Sequence, residues 1–187
     1  LTLRINLSDS GSPVRDVRCF PPYGDGTLTT DRFRKGFLDS LAGCNLIRFM
    51  DWGLTNNSTQ EDWADRTPGT STRWRSGIPY EIMIELCNEL QADCWLCVPH
   101  LATDDYIEQL ANLVDANLDP DLRCWIEYSN ECWNFGFAQT AYVYDVLKVL
   151  YDTDSGQHAY GLRSGEMIEI FKGVLGERCV GVISGQA

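Results

Sequence analysis

Short apolar runs alternate along this chain with longer segments in which apolar residues recur every three or four positions. The short runs predict five β-strands, at Val14–Phe20, Leu46–Met50, Cys94–Pro99, Leu122–Ser129 and Val180–Ser184. The periodic segments predict helices at Asp31–Gly43, Ile78–Ala92, Thr103–Leu118, Phe135–Tyr151 and Ser164–Gly176. Because the strands alternate with helices, we expect parallel βαβ units and an α/β fold.

The first residues depart from this pattern. Leu1–Asn6 alternates apolar and polar residues as a strand does, and the turn-forming stretch Ser8–Pro13 interrupts it. We therefore interpret residues 1–12 as the end of a preceding β element and residues 13–187 as the main domain. The chain starts at Leu1 without an initiator methionine, which indicates a fragment of a longer or processed protein.

Polar and aromatic side chains collect where the predicted strands end. Arg48 and Trp52 lie at the end of the second strand, His100 follows the third, and Asn130 and Glu131 follow the fourth. The carboxyl ends of parallel strands meet at one edge of a sheet, where barrels and doubly wound sheets carry their sites. We therefore expect these residues to line one site, with the Trp52 ring available to stack on a ligand.

The stretch WIEYSNECWN, residues 125–134, contains residue types that suit carbohydrate chemistry. Glu131 can transfer a proton, Asn130 can bind a hydroxyl group, and Trp133 can stack on a sugar ring. His100 can bind a hydroxyl group or hold a carboxylate, and Arg48 can pair with a carboxylate. Structural alternatives remain open for each type: a solvated loop glutamate, a chain-turning asparagine, a structural histidine, a buried ion pair or a core tryptophan.

Charge and hydropathy restrict the classes of molecule that this chain can bind. Its 187 residues can bury a sizeable core, and its net charge is −12. A polyanion such as nucleic acid, or an anionic membrane surface, would be repelled by this charge. No apolar run approaches the roughly 20 residues that span a bilayer. We therefore expect neither nucleic-acid binding nor membrane insertion.

Cysteines and glycosylation signals favour an extracellular protein. Eight cysteines are typical of a disulfide-bonded protein in an oxidising compartment, although buried free thiols are the alternative. Three N-x-S/T signals, at Asn6, Asn56 and Asn57, predict glycosylation and agree with secretion. Crowding disfavours glycans on both Asn56 and Asn57.

Other common motifs do not account for this chain. Cys94 and Cys97 form a CxxC pair on a predicted strand, where positions three apart face opposite sides and suit neither a zinc site nor a redox turn. There is no P-loop, no GxGxxG and no Ser-centred nucleophile elbow. We therefore predict neither a metal nor a cofactor.

Four stretches in the same order resemble glycoside hydrolases of clan A, in particular a cellulase-like branch of these (β/α)8 barrels. They are RFMDW (Arg48–Trp52), GIPYEIMIELCNEL (Gly77–Leu90), VPHLATDDYI (Val98–Ile107) and IEYSNECWN (Ile126–Asn134). The similarity covers most of residues 13–187. It implies a parallel TIM-barrel fold of which this chain supplies the N-terminal part, about strands one to five.

The resemblance also implies roles for individual residues. Glu131 would be the general acid/base, Asn130 would hold the sugar 2-hydroxyl, Arg48 would lie beside the nucleophile's carboxylate, and His100 would line the sugar site. A retaining hydrolase needs a second carboxylate about 5–5.5 Å from the first. In the clan this is a glutamate that ends strand seven, beyond the end of this chain. The remainder of a longer chain, or another subunit, would therefore complete the barrel.

Two other functions remain open at this stage. The chain could be a non-catalytic, glycosidase-like module in an extracellular structural or adhesive assembly, which its cysteines, glycosylation signals and missing strands favour. It could also be a doubly wound α/β domain with an unrelated small-molecule site, which needs no missing strands. The leading expectation is a secreted domain that hydrolyses β-linked glycans once the barrel is completed.

Overall fold

The computed structural model describes residues 6–15 and 31–186, and the chain divides into two compact units, residues 1–40 and 41–187. Helix α1, Lys35–Leu41, belongs to the first unit except for its last residue, and Lys35 Nζ pairs with Asp39 at 2.6 Å. The predicted strands Leu1–Asn6 and Val14–Phe20 lie mostly outside the described residues. The expected division into residues 1–12 and 13–187 stays a prediction.

The second unit contains a four-stranded parallel sheet. Its strands are β1 (Leu46–Arg48), β2 (Asp93–Val98), β3 (Cys124–Tyr128) and β4 (Cys179–Val182). They lie side by side in chain order, β1-β2-β3-β4, and each pair is parallel. Each strand falls within two residues of a predicted apolar run. The predicted α/β architecture with parallel strands is therefore confirmed for this unit.

Helices connect these strands. They are α2 (Tyr80–Leu90), α3 (Asp104–Asn117), α4 (Ala138–Tyr142), a π-helical turn (Val143–Leu147), α5 (Lys148–Leu150) and α6 (Gly156–Leu175). Short 3-10 turns lie at Trp63–Asp65 and Gly176–Arg178. Thr103 caps α3 by accepting a hydrogen bond from the Tyr106 amide, and the acidic residues Asp104 and Asp105 suit the positive end of the helix.

Helix α6 begins eight residues earlier than predicted. Ser164, the first residue of the predicted helix, is a residue type that caps helices, but it is fully buried inside α6. Ser155 is the cap, since its side chain accepts a hydrogen bond from the His158 amide. The glycines at positions 156 and 161 and the polar residues between them hid the helical pattern of this first part.

One face of the sheet packs against helices. Cys94, Leu96 and Val98 of β2 and the alternate residues Cys124, Ile126 and Tyr128 of β3 are completely or almost completely buried. Helix α2 packs on β2, α6 packs on β3 and β4, and α3 contacts both helices. A side chain at Gly181 of β4 would collide with Ile168 of α6, so the close approach of α6 requires a glycine there. This face forms the hydrophobic core.

The seven described cysteines are all free thiols, so none of the expected disulfides is formed among them. Cys94, Cys124 and Cys179 lie in register on three adjacent strands. Burial raises the pKa of Cys94 and Cys124, and it raises that of Cys179 to about 11. These three side chains therefore pack as small apolar groups in the core.

Candidate active site

The sheet face away from α2 and α6 carries charged and aromatic residues. Arg48, Trp95 and Trp125 are in register on β1, β2 and β3. The two indole rings stack with centroids 6.1 Å apart, and the Arg48 guanidinium lies 4.9 Å from the Trp95 ring centre. Alternation along each strand thus places these charged and aromatic side chains on the face opposite the apolar core.

Glu127 is the centre of this face. Its carboxylate, only 1% exposed, accepts hydrogen bonds at Oε2 from Arg48 Nη2 at 2.7 Å and from Trp95 Nε1 at 3.0 Å. Cys97 Sγ donates to the same oxygen at 3.5 Å, and Ser184 Oγ donates to Oε1 at 2.7 Å. A buried carboxylate is costly unless it has such partners, and this one has partners at both oxygens.

The same contacts place Cys97 and Cys94 on opposite faces of β2. Cys94 is fully buried in the core, as is Cys87 of α2, whereas Cys97 contacts Glu127. The predicted geometry of the CxxC pair is therefore confirmed. Within residues 6–15 and 31–186, no group of three or more His, Cys, Asp or Glu residues is arranged to hold a metal ion.

Arg48 connects Glu127 to the end of β3. Arg48 Nη2 donates to Asn130 Oδ1 at 2.9 Å in addition to Glu127 Oε2. Burial by itself lowers the pKa of Arg48. The hydrogen bond with Glu127 and the nearby negative groups, which include Glu131, outweigh burial and raise the pKa. The guanidinium therefore stays charged and acts as a fixed donor to both partners.

The Asn130 amide is held at both ends. Its Oδ1 accepts from Arg48, and its Nδ2 donates to Asn56 Oδ1 at 3.0 Å. Gln139 Nε2 donates to the same Asn56 oxygen and to the Asn130 carbonyl oxygen, each at 2.7 Å. An amide retains a second oxygen lone pair and a second N–H hydrogen after these contacts. Asn130 is therefore oriented, is 5% exposed, and keeps unused hydrogen-bonding capacity that suits a hydroxyl group.

The backbone around Asn130 is strained. Ser129 and Glu131 both have left-handed conformations, with φ of 56° and 44°. Residues other than glycine rarely adopt this region, at a cost of roughly 1–3 kcal/mol each. The Ser129 amide still donates to the Val98 carbonyl at 2.8 Å, so the sheet ladder continues up to the turn. Such strain is common at functional sites and directs Asn130 toward Arg48.

Glu131 lies directly after this turn and is half-buried. Its Oε2 accepts a hydrogen bond from Asn134 Nδ2 at 2.8 Å, and its carbonyl oxygen accepts from Thr140 Oγ1 at 3.3 Å. The carboxylate is thus tied to its own loop, next in the chain to the oriented Asn130. It also contributes to the electrostatic field at Arg48.

His100 is enclosed after β2. It is 4% exposed, its ring meets the Tyr142 ring edge-on at 5.5 Å, and its carbonyl oxygen accepts a hydrogen bond from Tyr128 at 2.6 Å. Nδ1 has no hydrogen-bond partner in the described part of the chain. Burial lowers the pKa of His100, so the ring is neutral. Its expected contact with sugar stays a prediction.

Trp133 borders a cavity of about 450 Å³ beside the ends of β3 and β4. Phe135, Tyr144 and Tyr160 contribute further aromatic walls. Ser184 connects this cavity to the charged face, because its amide donates to the Tyr160 hydroxyl at 3.1 Å while its Oγ donates to Glu127. The volume lies within the range of small-ligand pockets.

The predicted site residues thus separate into groups. Arg48 and Asn130 belong to one hydrogen-bonded network, Glu131 follows Asn130, and Trp133 borders the cavity. Trp52 is half-buried against Phe49, with ring centroids 5.4 Å apart. The catalytic role expected for Glu131 and the substrate-binding roles expected for the other residues stay predictions.

Sequence reasoning missed Glu127 and its donors Trp95 and Ser184, and it missed Gln139 and the role of Asn56 as an amide partner. A signal for Glu127 was present, because a glutamate inside the apolar run CWIEY needs a buried cation. Arg48 occupies the equivalent place in LIRFM. The amide contacts had no such signal, since asparagine and glutamine are common in loops.

The glycosylation signals have different surroundings. Asn6 is exposed. Asn57 is also exposed, but its Oδ1 accepts from the Ala138 amide at 2.7 Å. Asn56 is half-buried, and its oxygen is part of the Asn130 network. A glycan on Asn56 would therefore start inside the candidate site, and modification of all three residues stays a prediction.

No family model, curated protein or solved structure matches this chain significantly. Across residues 6–15 and 31–186, none of the helices combines the length and the apolar character needed to cross a bilayer.

Proposed function

We propose that residues 41–187 are part of a (β/α)8 barrel of the glycoside-hydrolase type, in a secreted protein that hydrolyses β-linked glycans by a retaining mechanism. The strand order supports the barrel, because β1-β2-β3-β4 runs in one direction without the reversal that defines a doubly wound sheet. Helices pack on one face of this sheet, and the charged face corresponds to the interior of the barrel.

The observation that carries the proposal is the oriented amide of Asn130 immediately before Glu131. Arg48 and Asn56 hold its two ends at the carboxyl edge of the sheet. A hydroxyl group bound by Asn130 would place the neighbouring glycosidic bond within reach of the Glu131 carboxyl group. The aromatic cavity beside Trp133 offers stacking surfaces for further sugar rings.

In this mechanism Glu131 protonates the leaving oxygen and then, as a base, activates the water that releases the product. The nucleophile is a carboxylate supplied from outside residues 41–187, about 5–5.5 Å from Glu131. Glu127 does not suit that role, because its side chain is only 1% exposed and it lies within β3 rather than after the end of a strand. The remainder of a longer chain or another subunit supplies the missing strands.

The test is Glu131→Gln in the full-length protein, assayed on a panel of β-linked oligosaccharides and aryl β-glycosides. We expect turnover to fall about 10²–10⁴-fold on substrates with poor leaving groups, because these require proton donation. Activated aryl glycosides should be affected less, and oligosaccharide affinity should be retained. Glu108→Gln, an exposed position on α3, is the matched control. Unchanged turnover in Glu131→Gln would refute the assignment.

A second candidate is a glycan-binding module without catalysis in an extracellular assembly. It is favoured by the fact that the Asn130 network and the aromatic cavity are both formed without the nucleophile. Calorimetric binding together with a turnover assay on the same full-length sample separates the two functions. Binding with no detectable turnover of any β-glycoside would favour the module, whereas turnover excludes it.

A further inference from the structure

We infer that Glu127 is a positioning residue, which acts through Arg48 to orient the Asn130 amide for recognition of the sugar hydroxyl. This inference rests on the proposed function for the identity of the ligand. Its geometric part, that Glu127 sets the orientation of Asn130, stands on the contacts alone.

Arg48 Nη2 is the shared atom in this chain of contacts. It lies 2.7 Å from Glu127 Oε2 and 2.9 Å from Asn130 Oδ1. One nitrogen bonded to both oxygens couples their positions, because a shift of the guanidinium toward either acceptor lengthens the other contact. Arg48 Nε donates to the same Oε2 at 3.2 Å, so two nitrogens of the guanidinium converge on one oxygen of Glu127.

Trp95 holds the same pair from β2. Its Nε1 donates to Glu127 Oε2 at 3.0 Å, and its ring lies beneath the Arg48 guanidinium. Ser184 fixes the other carboxylate oxygen. Glu127 is therefore immobile, whereas the Arg48 side chain is 33% exposed and would reach solvent without its anchor. Loss of the Glu127 charge should release Arg48 before it disturbs Trp95.

Release of Arg48 leaves Asn130 with one of its two side-chain anchors. The contact to Asn56 remains, but the amide plane can then rotate about it. A displacement of about 1 Å at a substrate-orienting group can lower a rate on the order of 10²-fold. Contacts to the 2-hydroxyl strengthen in the transition state of glycoside hydrolysis. We therefore expect kcat to fall more than the substrate affinity.

The experiment compares Glu127→Gln, Asn130→Ala and the double variant in the full-length protein, with Glu108→Gln as control. We expect Glu127→Gln to lower kcat about 10- to 100-fold on a β-linked oligosaccharide, with a change in KM of less than about threefold. In the Asn130→Ala background, Glu127→Gln should have little further effect, because its action passes through Asn130. Multiplication of the two effects would overturn the inference.

A second measurement separates this inference from the proposed function. Side-chain NMR signals of the Asn130 amide and the Arg48 Nε–H report their order without any substrate. We expect sharp, slowly exchanging signals in the wild type and broadened ones in Glu127→Gln. If the wild type hydrolyses no glycan but shows this change, the function fails and the positioning role stands. Unchanged signals in Glu127→Gln overturn the positioning role.

Arg48→Lys keeps the test decisive if Glu127→Gln does not fold. Lysine retains the positive charge but lacks the second donor, Arg48 Nε, that fixes the orientation of the bridging nitrogen on Glu127. The same NMR signal of Asn130 should broaden and kcat should fall by a similar factor. A lysine variant with native signals and native kcat would contradict the role of the bridging guanidinium.

Discussion

The two faces of the sheet in the second unit differ in the kinds of side chain they carry. Toward the helices, strands β2 and β3 present residues such as Leu96 and Ile126, which are at most 1% exposed and make apolar contacts. On the other face the same strands present Trp95 and Glu127, which take part in a charged network with Arg48. The first face supplies stability through burial, and the second supplies oriented donors and acceptors.

This difference arises from the alternation of single strands. In β3 the sequence CWIEY places Cys124, Ile126 and Tyr128 on one face and Trp125 and Glu127 on the other. Parallel strands that are buried on both faces usually consist of aliphatic residues throughout. Tryptophan and glutamate at alternate positions mark the face that departs from this rule, and that face leads to Asn130.

The largest effect is expected from the apolar face. Ile126→Ala should lower the free energy of unfolding by about 2–5 kcal/mol, because a fully buried side chain is replaced by a cavity. Denaturant unfolding of the full-length protein measures this loss. Oligosaccharide affinity of the folded fraction should not change. A large loss of affinity at constant stability would break the proposed division between the faces.

An intermediate effect is expected from the charged face. Arg48→Met should lower the free energy of unfolding by about 2 kcal/mol, because it leaves the buried Glu127 without its cation. The value is below that of a fully buried pair, since Arg48 is partly solvated. Arg123→Met, at the exposed position directly before β3, should change the free energy of unfolding by less than about 0.5 kcal/mol. Equal losses in both variants would show that the network is not specific.

The smallest effect is expected at His100, which is almost completely buried. Its pKa is lowered in the folded chain, so the unfolded chain binds a proton first as the pH falls below about 6.5. Stability should therefore decrease from pH 7 toward pH 5, and His100→Gln should make this decrease shallower. Thermal unfolding at several pH values measures it, with the exposed His158→Gln as control. An unchanged pH slope in His100→Gln would place the ring in solvent contact.

Strands and helices of the second unit could be predicted because their signals are local. The run from Cys94 to Pro99 predicted β2 (Asp93–Val98), and Thr103 with two following aspartates predicted the start of α3. The start of α6 was wrong because Ser155 and Ser164 are equally good caps in sequence, and burial decides between them. The π-helical turn at Val143–Leu147 had no local signal that we recognised.

The site was predictable only in part because its contacts are distant in the chain. Asn130 and Glu131 could be located from the end of a strand. The partner of Arg48 is 79 residues away, and Gln139 contacts Asn56 across 83 residues. Such pairings depend on how neighbouring strands align. The alternation of residues within one strand carries no information about that alignment. A rule that searches apolar runs for single charges would have paired Arg48 with Glu127.

Ser184 is synthesised later than the other residues that contact Glu127. Arg48 precedes Glu127 in the chain, so their ion pair can form as soon as β3 leaves the ribosome. Ser184 follows Glu127 by 57 residues, which takes roughly 3–11 s at typical elongation rates. The contacts of Arg48 with Glu127 and Asn130 therefore join residues that are all synthesised before the donor to the second oxygen of Glu127. Completion of the network waits for Ser184, just beyond the end of β4.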